Sequence, residues 1–146
     1  MEPKLILQNT REMHLVSVSE LLFIEADGNY SDIWLTKNDP FLHEINDKGG
    51  EMKAVNRDEV MKKNHSIKKI QLVMQLGDIE KIIKKSSNKV RENLVRIGRS
   101  YIVNMDYLFK IELSESLLWL MDTDHNIFKL KVEHNDLVEL KKELGK

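Results

Sequence analysis

With 146 residues, 41% of them apolar and 32% charged, the chain is long enough for one domain with a core and too apolar for disorder. The absence of cysteine removes disulfides and thiolate metal sites, which fits a reducing compartment. No apolar run approaches the roughly 20 residues of a membrane span and no signal-peptide pattern opens the chain, so the expected location is the cytoplasm.

A net charge of −1 conceals an asymmetry. Residues 53 to 99 hold 13 Lys and Arg against 5 Asp and Glu, a balance of +8; the remainder holds 10 against 19, a balance of −9. Segregated charge of this kind either builds a basic face attractive to phosphates or spreads over a solvated loop and helix.

In chain order, Lys4 to Gln8 and Met13 to Val18 alternate as two short strands around a polar turn at Asn9-Thr10-Arg11. Leu21 to Ala26 is a third strand, and Asp27-Gly28-Asn29 a turn, because Gly and Asn accept positive φ cheaply. Tyr30 to Thr36 resumes as a strand, with Tyr30, Asp32 and Trp34 on one side and Ser31, Ile33 and Leu35 on the other. Residues 37 to 66 carry a proline, a Gly-Gly pair and dense mixed charge, and read as a long irregular insert with a short helix over Asp58 to Lys63.

Ile67 to Gln75 alternates as a strand, and Asp78 is expected to cap a helix carrying Ile79, Ile82 and Ile83 on one face. The lysines 81, 84 and 85 of that helix read either as phosphate contacts or as a solvated face. The stretch from Leu94 to Asn104 has strand periodicity through Val95, Ile97, Tyr101 and Val103, interrupted near Gly98 by Arg96, Arg99 and Ser100. A three-strand antiparallel meander follows over Tyr107 to Leu113, Leu117 to Met121 and Ile127 to Val132. His134-Asn135-Asp136 then caps a last helix, about residues 135 to 144, with an apolar stripe of Leu137, Leu140 and Leu144. The expectation is a mostly β, α+β fold of about ten short strands with one or two short helices, in a single domain over residues 1–146.

Catalytic patterns are scarce, so the reading is not an enzyme, with no cofactor and no metal. The five histidines (His14, His43, His65, His125, His134) show no metal-ligand spacing. Gly49-Gly50 is not followed by the Lys-Ser/Thr of a phosphate loop, and Ser86, Ser87 and Ser100 lack a nucleophile elbow. Nucleic-acid recognition asks for less: a rigid frame with some side chains reaching phosphates and a few reaching base edges. Arg99 suits the second role, since its planar fork matches guanine O6 and N7. Arg96 either shares that face or forms a surface ion pair, and Asn104 fits turn chemistry.

Leu94 to Asn104 (LVRIGRSYIVN) resembles the central signature of LytTR DNA-binding domains, close to F-x-R-I-H-R-S-Y-I-V-N. Ile24-Glu25-Ala26-Asp27-Gly28-Asn29-Tyr30 resembles the second signature, an apolar-E-A-x-G-N-Y strand and turn, and the likeness runs from about Met13 to Leu144. It implies an elongated set of antiparallel β-sheets that inserts loops, not a recognition helix, into successive major grooves. It also implies a bacterial transcription regulator that binds direct repeats in double-stranded DNA, with a homodimer possible on the DNA and no membrane partner. Members often follow a receiver domain; none precedes Met1, and the expectation is a stand-alone, divergent member.

Carried over by position, the DNA contacts implied are Asn29, Tyr30 and Ser31, then Arg99 and Ser100, with Arg96 beside them, then His134 and Asn135. Gly98 stands where the family has histidine, Glu133 and His134 stand where a Ser-Arg pair is common, and Asp32 adds a negative charge beside the first loop. The alternative reading is a protein-interaction module that kept the fold and lost strong DNA binding.

Overall fold

The structure, a computed structural model, describes residues 3–36, 53–54 and 67–145. The predicted β-rich α+β fold is what forms, with eleven strands and three α-helices among the described residues. They fall into two compact units, Met1–Leu35 with Lys69–Asp106, and Thr36–Lys68 with Tyr107–Lys146.

The first unit is built on a five-stranded sheet. Its members are β3 (Leu21–Asp27), β4 (Tyr30–Thr36), β6 (Ile67–Leu72), β7 (Leu94–Ile97) and β8 (Tyr101–Asn104), in the order β6-β4-β3-β8-β7. β1 (Lys4–Gln8) and β2 (Met13–Ser17) form a separate hairpin. Two short helices, α1 (Leu76–Lys84) and α2 (Asn88–Asn93), precede β7. Strand alternation decides which side chains enter the core. Ile24, Ile33, Leu35, Leu94 and Ile102 share one buried cluster with Leu5, Leu7 and Val16 of the hairpin, Leu76, Ile79 and Ile83 of α1, and Val90 of α2.

The opposite parity is also buried. Phe23 stacks on Trp34 with centroids 5.6 Å apart and meets Tyr101 edge-on at 6.2 Å. Aromatic pairs of this geometry add about 0.5–1.5 kcal/mol each beyond area burial. Central strands covered on both faces explain why β3 and β8 read as nearly continuous apolar runs.

Several boundaries differ from expectation. Leu94 to Asn104 is a hairpin rather than one interrupted strand, because Gly98 takes φ +65° and turns the chain between Ile97 and Tyr101, which pair with each other. The helix α1 begins at Leu76 with Gln75 at its N-cap, three residues before the Asp78 expected at that position; Asp78 instead lies in the first turn, where its charge complements the helix dipole. The helix α2 had no sequence signal, since Val90 is its one buried apolar residue.

Asn104 is more than a turn residue. Fully buried, its Nδ2 donates to the carbonyls of Val18 at 2.9 Å and Leu21 at 2.8 Å, and its Oδ1 accepts from the Asp106 amide at 3.0 Å. One side chain thereby fastens β8 to the start of β3 and caps the bend after it.

The second unit carries a four-stranded sheet in the order β5-β11-β10-β9, from β5 (Lys53–Ala54), β9 (Leu108–Glu112), β10 (Leu117–Met121) and β11 (Asn126–Lys131). The predicted meander is β9-β10-β11. β5, in the stretch expected to be irregular, pairs parallel to β11 through Lys53 opposite Asn126 and Ala54 opposite Ile127. The helix expected over residues 58–63 lies outside the described residues. The sheet buries Leu118, Leu120, Phe128 and Leu130, while Lys129 and Lys131 alternate outward. Trp119 lies on the outward side between two ammonium groups, Lys129 Nζ at 4.3 Å and Lys110 Nζ at 4.7 Å from its ring centre. The last helix, α3 (His134–Leu144), starts at His134 with Glu133 at the N-cap and buries Leu137 and Leu140. Leu144, expected on the same stripe, is 52% exposed because the last turn runs past the core.

At the β10–β11 turn, the buried carboxylate of Asp122 accepts from the amides of Asp124 and Asn126 and from Asn126 Nδ2. Burial nevertheless wins over these bonds and raises its pKa above the ordinary 3.8. A carboxyl with a raised folded-state pKa contributes stability below its unfolded pKa and loses it as pH rises through the folded value.

Two outcomes follow. Denaturant titrations of Asn104→Ala should show a loss of about 2–3 kcal/mol, from removing one of the two donors to the Val18 carbonyl, the bond to the buried Leu21 carbonyl and the acceptor of the Asp106 amide. Asp122→Asn should gain stability relative to the parent as pH climbs from about 3.8, levelling once the parent carboxyl is ionised in the fold; urea midpoints measured across pH check the sign.

Candidate nucleic-acid interface

Two hairpin turns leave the five-stranded sheet of the first unit at one end. The β3–β4 turn is the two-residue loop Gly28-Asn29, closed by Asp27 opposite Tyr30; Gly28 takes φ +63°, the geometry of a hairpin with glycine at its first loop position. The β7–β8 turn is the loop of residues 98–100, closed by Ile97 opposite Tyr101. β3 and β8 are neighbours, with Glu25 opposite Tyr101, so the two turns emerge side by side. A backbone bond just beyond that pair, from the Ala26 amide to the Ser100 carbonyl at 2.8 Å, ties the β7–β8 loop to β3 just before its own turn. The Tyr101 hydroxyl donates to Glu25 Oε2 at 3.3 Å and crosses the same seam.

Four of the expected residues meet on this edge. Asn29, Tyr30, Arg99 and Ser100 are all exposed, and Tyr30 presents 44% of its surface to solvent, unusual for an aromatic residue next to a core. Arg99 is exposed and has no ion-pair partner among the described residues.

Two expected residues are placed elsewhere. Ser31 is fully buried and donates to the Met74 carbonyl at 2.7 Å; its parity follows Ile33 and Leu35 into the core, so its hydroxyl ties β4 to the turn after β6. Arg96 is half-buried. Its Nη1 pairs with Glu80 of α1 at 2.9 Å and its Nε donates to the Gly98 carbonyl at 3.2 Å. Of the two fates open to Arg96, the ion pair is the one observed, and the second bond braces the loop that carries Arg99. Asp32 adds no exposed charge beside the first loop: it is 7% exposed and accepts from Gln71 Nε2 at 3.1 Å.

The remaining pair, His134 and Asn135, forms the exposed first turn of α3 in the second unit. Glu133 makes no side-chain cap there, so the first amides of α3 are not satisfied by its carboxylate. Lys81, Lys84 and Lys85 sit toward the C-terminal end of α1, about 8–14 Å along the axis from its start beside the turn after β6. Lys84 Nζ lies 3.8 Å from Glu80 Oε2, which favours the solvated-face reading for that lysine. Among the described residues no cluster of three or more His, Asp and Glu is placed to hold a metal ion. No helix among them is long and apolar enough to cross a membrane.

The signal that separates Arg99 from Arg96 was present in the sequence. Gly98 breaks the alternation, so Arg96 keeps the parity of Leu94 and turns toward α1 while Arg99 falls in the loop. No alternation rule places the Ala26–Ser100 bond, which is a tertiary pairing.

No family model matches the chain, and comparison with curated proteins found no relative. A solved structure, the LytTr DNA-binding domain of a Bacillus cereus protein described as a methyl-accepting/DNA response regulator, is similar over 100% of both chains, with a TM-score of 0.53 and 16% identity. The chain has the fold of a LytTr DNA-binding domain.

Gly98 is the position to probe first in this edge. Gly98→Ala should cost about 1–2 kcal/mol, because a Cβ disfavours φ near +65°, and Gly98→Asn should cost less; thermal melts of both variants compare them directly.

Proposed function

We propose that the chain binds double-stranded DNA through the paired hairpin turns, with Arg99 and Tyr30 as the principal contacts. The observation that carries this reading is the Ala26–Ser100 bond, which ties the β7–β8 loop to β3 just before the Gly28-Asn29 turn; Arg99, in that loop, has no ion-pair partner among the described residues. A preorganised tip loses little entropy when it docks, which is where exposed loops usually lose affinity. Arg99 supplies a bidentate donor for a guanine edge, Asn29 and Ser100 supply hydrogen-bonding groups beside it, and Tyr30 adds an aromatic surface for sugar or base. The likeness to a LytTr DNA-binding domain supports this assignment.

On this reading the protein is a cytoplasmic bacterial transcription regulator, not an enzyme, recognising a specific sequence as direct repeats, with pairing of two copies on the DNA. His134 and Asn135 make a separate contact through the first turn of α3, where exposed amides favour phosphate. The edge carries Glu25 and Asp27 as well as Arg99, so binding depends on a few well-placed cations rather than on a broad basic field.

A reading as a protein-interaction module draws on the outward side of the second sheet, where Trp119, Lys110 and Lys129 make an aromatic and cationic surface.

Selection from a random duplex pool at low salt should return a preferred sequence. Arg99→Ala should then weaken binding to it by about 1–3 kcal/mol and relax the preference at one position. A pool with no enriched sequence, or an Arg99→Ala protein that binds as the parent does, would contradict the proposal.

A further inference from the structure

The turn between β1 and β2 lies beside the same edge, and neither family signature includes it. The Asn9 amide donates to the Glu12 carbonyl at 3.0 Å, and Asn9 Oδ1 accepts from the amides of Arg11 at 2.9 Å and Glu12 at 3.0 Å. This Asx-type turn locks the loop locally. Asn9 Nδ2 reaches the Val73 carbonyl at 3.4 Å, which ties the turn to the segment after β6. That segment is in turn held to β4, because the next residue, Met74, offers its carbonyl to Ser31. Asn9, Thr10, Arg11 and Glu12 line one open concavity together with Tyr30 and Val73.

The side chain of Arg11 is exposed on this fixed turn and has no ion-pair partner among the described residues. Of the other arginines described, Arg96 is paired with Glu80 and Arg91 donates to the Lys84 carbonyl at 3.4 Å, which leaves Arg99 as the one like it. Glu12 leans along β2 toward His14, with Oε2 3.4 Å from Nε2.

We propose that Arg11 is a phosphate-binding anchor, a further DNA contact that flanks the Tyr30 loop on the side away from Arg99. The proposal rests on the duplex-binding reading above. Tyr30 lines the concavity with Arg11, while the Ala26–Ser100 bond places Arg99 across β3 from it. A duplex seated on the paired hairpins would therefore meet a guanidinium on either flank of the Tyr30 loop, one toward a base edge and one toward the backbone. Thr10, exposed on the same turn, offers a hydroxyl to the same phosphate. A phosphate contact of this kind sets register and affinity without reading sequence, which distinguishes it from the role given to Arg99. Glu12 opposes it electrostatically, so its removal should help.

The test is fluorescence anisotropy on the selected duplex and on an unrelated duplex, each across a salt series, with the full chain. Arg11→Gln should weaken both duplexes by the same factor, about three- to tenfold at low salt, and make the log K against log salt slope shallower by about one. Arg11→Lys, which keeps the charge, should retain most of the slope, and Glu12→Gln should tighten binding to both. An Arg11→Gln protein with the parent's affinity and slope overturns the anchor while leaving the Arg99 reading intact. Loss confined to the selected duplex overturns it too, since Arg11 would then be reading bases. A parent that binds neither duplex overturns the functional reading and this one with it.

Discussion

The seam between β3 and β8 is the constraint on which the rest of the first unit depends. At one end Asn104 is buried with both amide atoms satisfied, holding the carbonyls of Val18 and Leu21 and capping the Asp106 amide. At the other end the Ala26 amide meets the Ser100 carbonyl. Between them Phe23, Trp34 and Tyr101 pack on one face and Ile24, Ile33 and Ile102 on the other, all buried. A buried polar group left unpaired costs about 1–3 kcal/mol, so a register slip of one residue would orphan Asn104 and turn both apolar faces over together. That penalty is what makes the position of Arg99 a property of the core rather than of a loop.

The polar residues near the edge divide by their partners. Arg96 and Ser31, both among the expected contacts, and Asp32, expected as a charge beside the first loop, are each spent inside the unit, on Glu80 and Gly98, on Met74 and on Gln71. They hold α1, β6 and the β7–β8 loop in place around the tips. Asn29, Tyr30, Arg99 and Ser100 are left facing solvent on a frame those bonds make stiff. Gly98, which stands where the resemblance has histidine, gives up a polar side chain and in return permits the left-handed turn that projects Arg99.

Much of this was legible in the residues themselves. Alternation between firm turn signals placed β4 at Tyr30–Thr36 and β10 at Leu117–Met121, and the Gly28-Asn29 turn between β3 and β4. The two short signatures carried the fold even though no family model matches the chain. What escaped was set by tertiary partners. Helix α2 has too few apolar residues to announce itself, and β5 is two residues long and recognisable only by the strand it joins. Asp78 is a good capping residue, but Leu76 is buried with the α1 core, and that burial starts the helix earlier. Ser31 followed the parity of Ile33, a cue that the motif outweighed. The side-by-side setting of the two turns depends on β3 pairing with β8, a contact some 75 residues apart in the chain that no local pattern encodes.

The central claim is that the paired turns, held by this seam, are the surface that meets duplex DNA. Amide chemical-shift mapping during titration with the selected duplex tests it most directly. The account predicts shifts concentrated at Gly28, Asn29 and Tyr30 and at Gly98, Arg99 and Ser100, with the amides of Phe23 and Val103 in the core unmoved. Shifts that spare both turns and gather around Trp119 and Lys129 instead would contradict it.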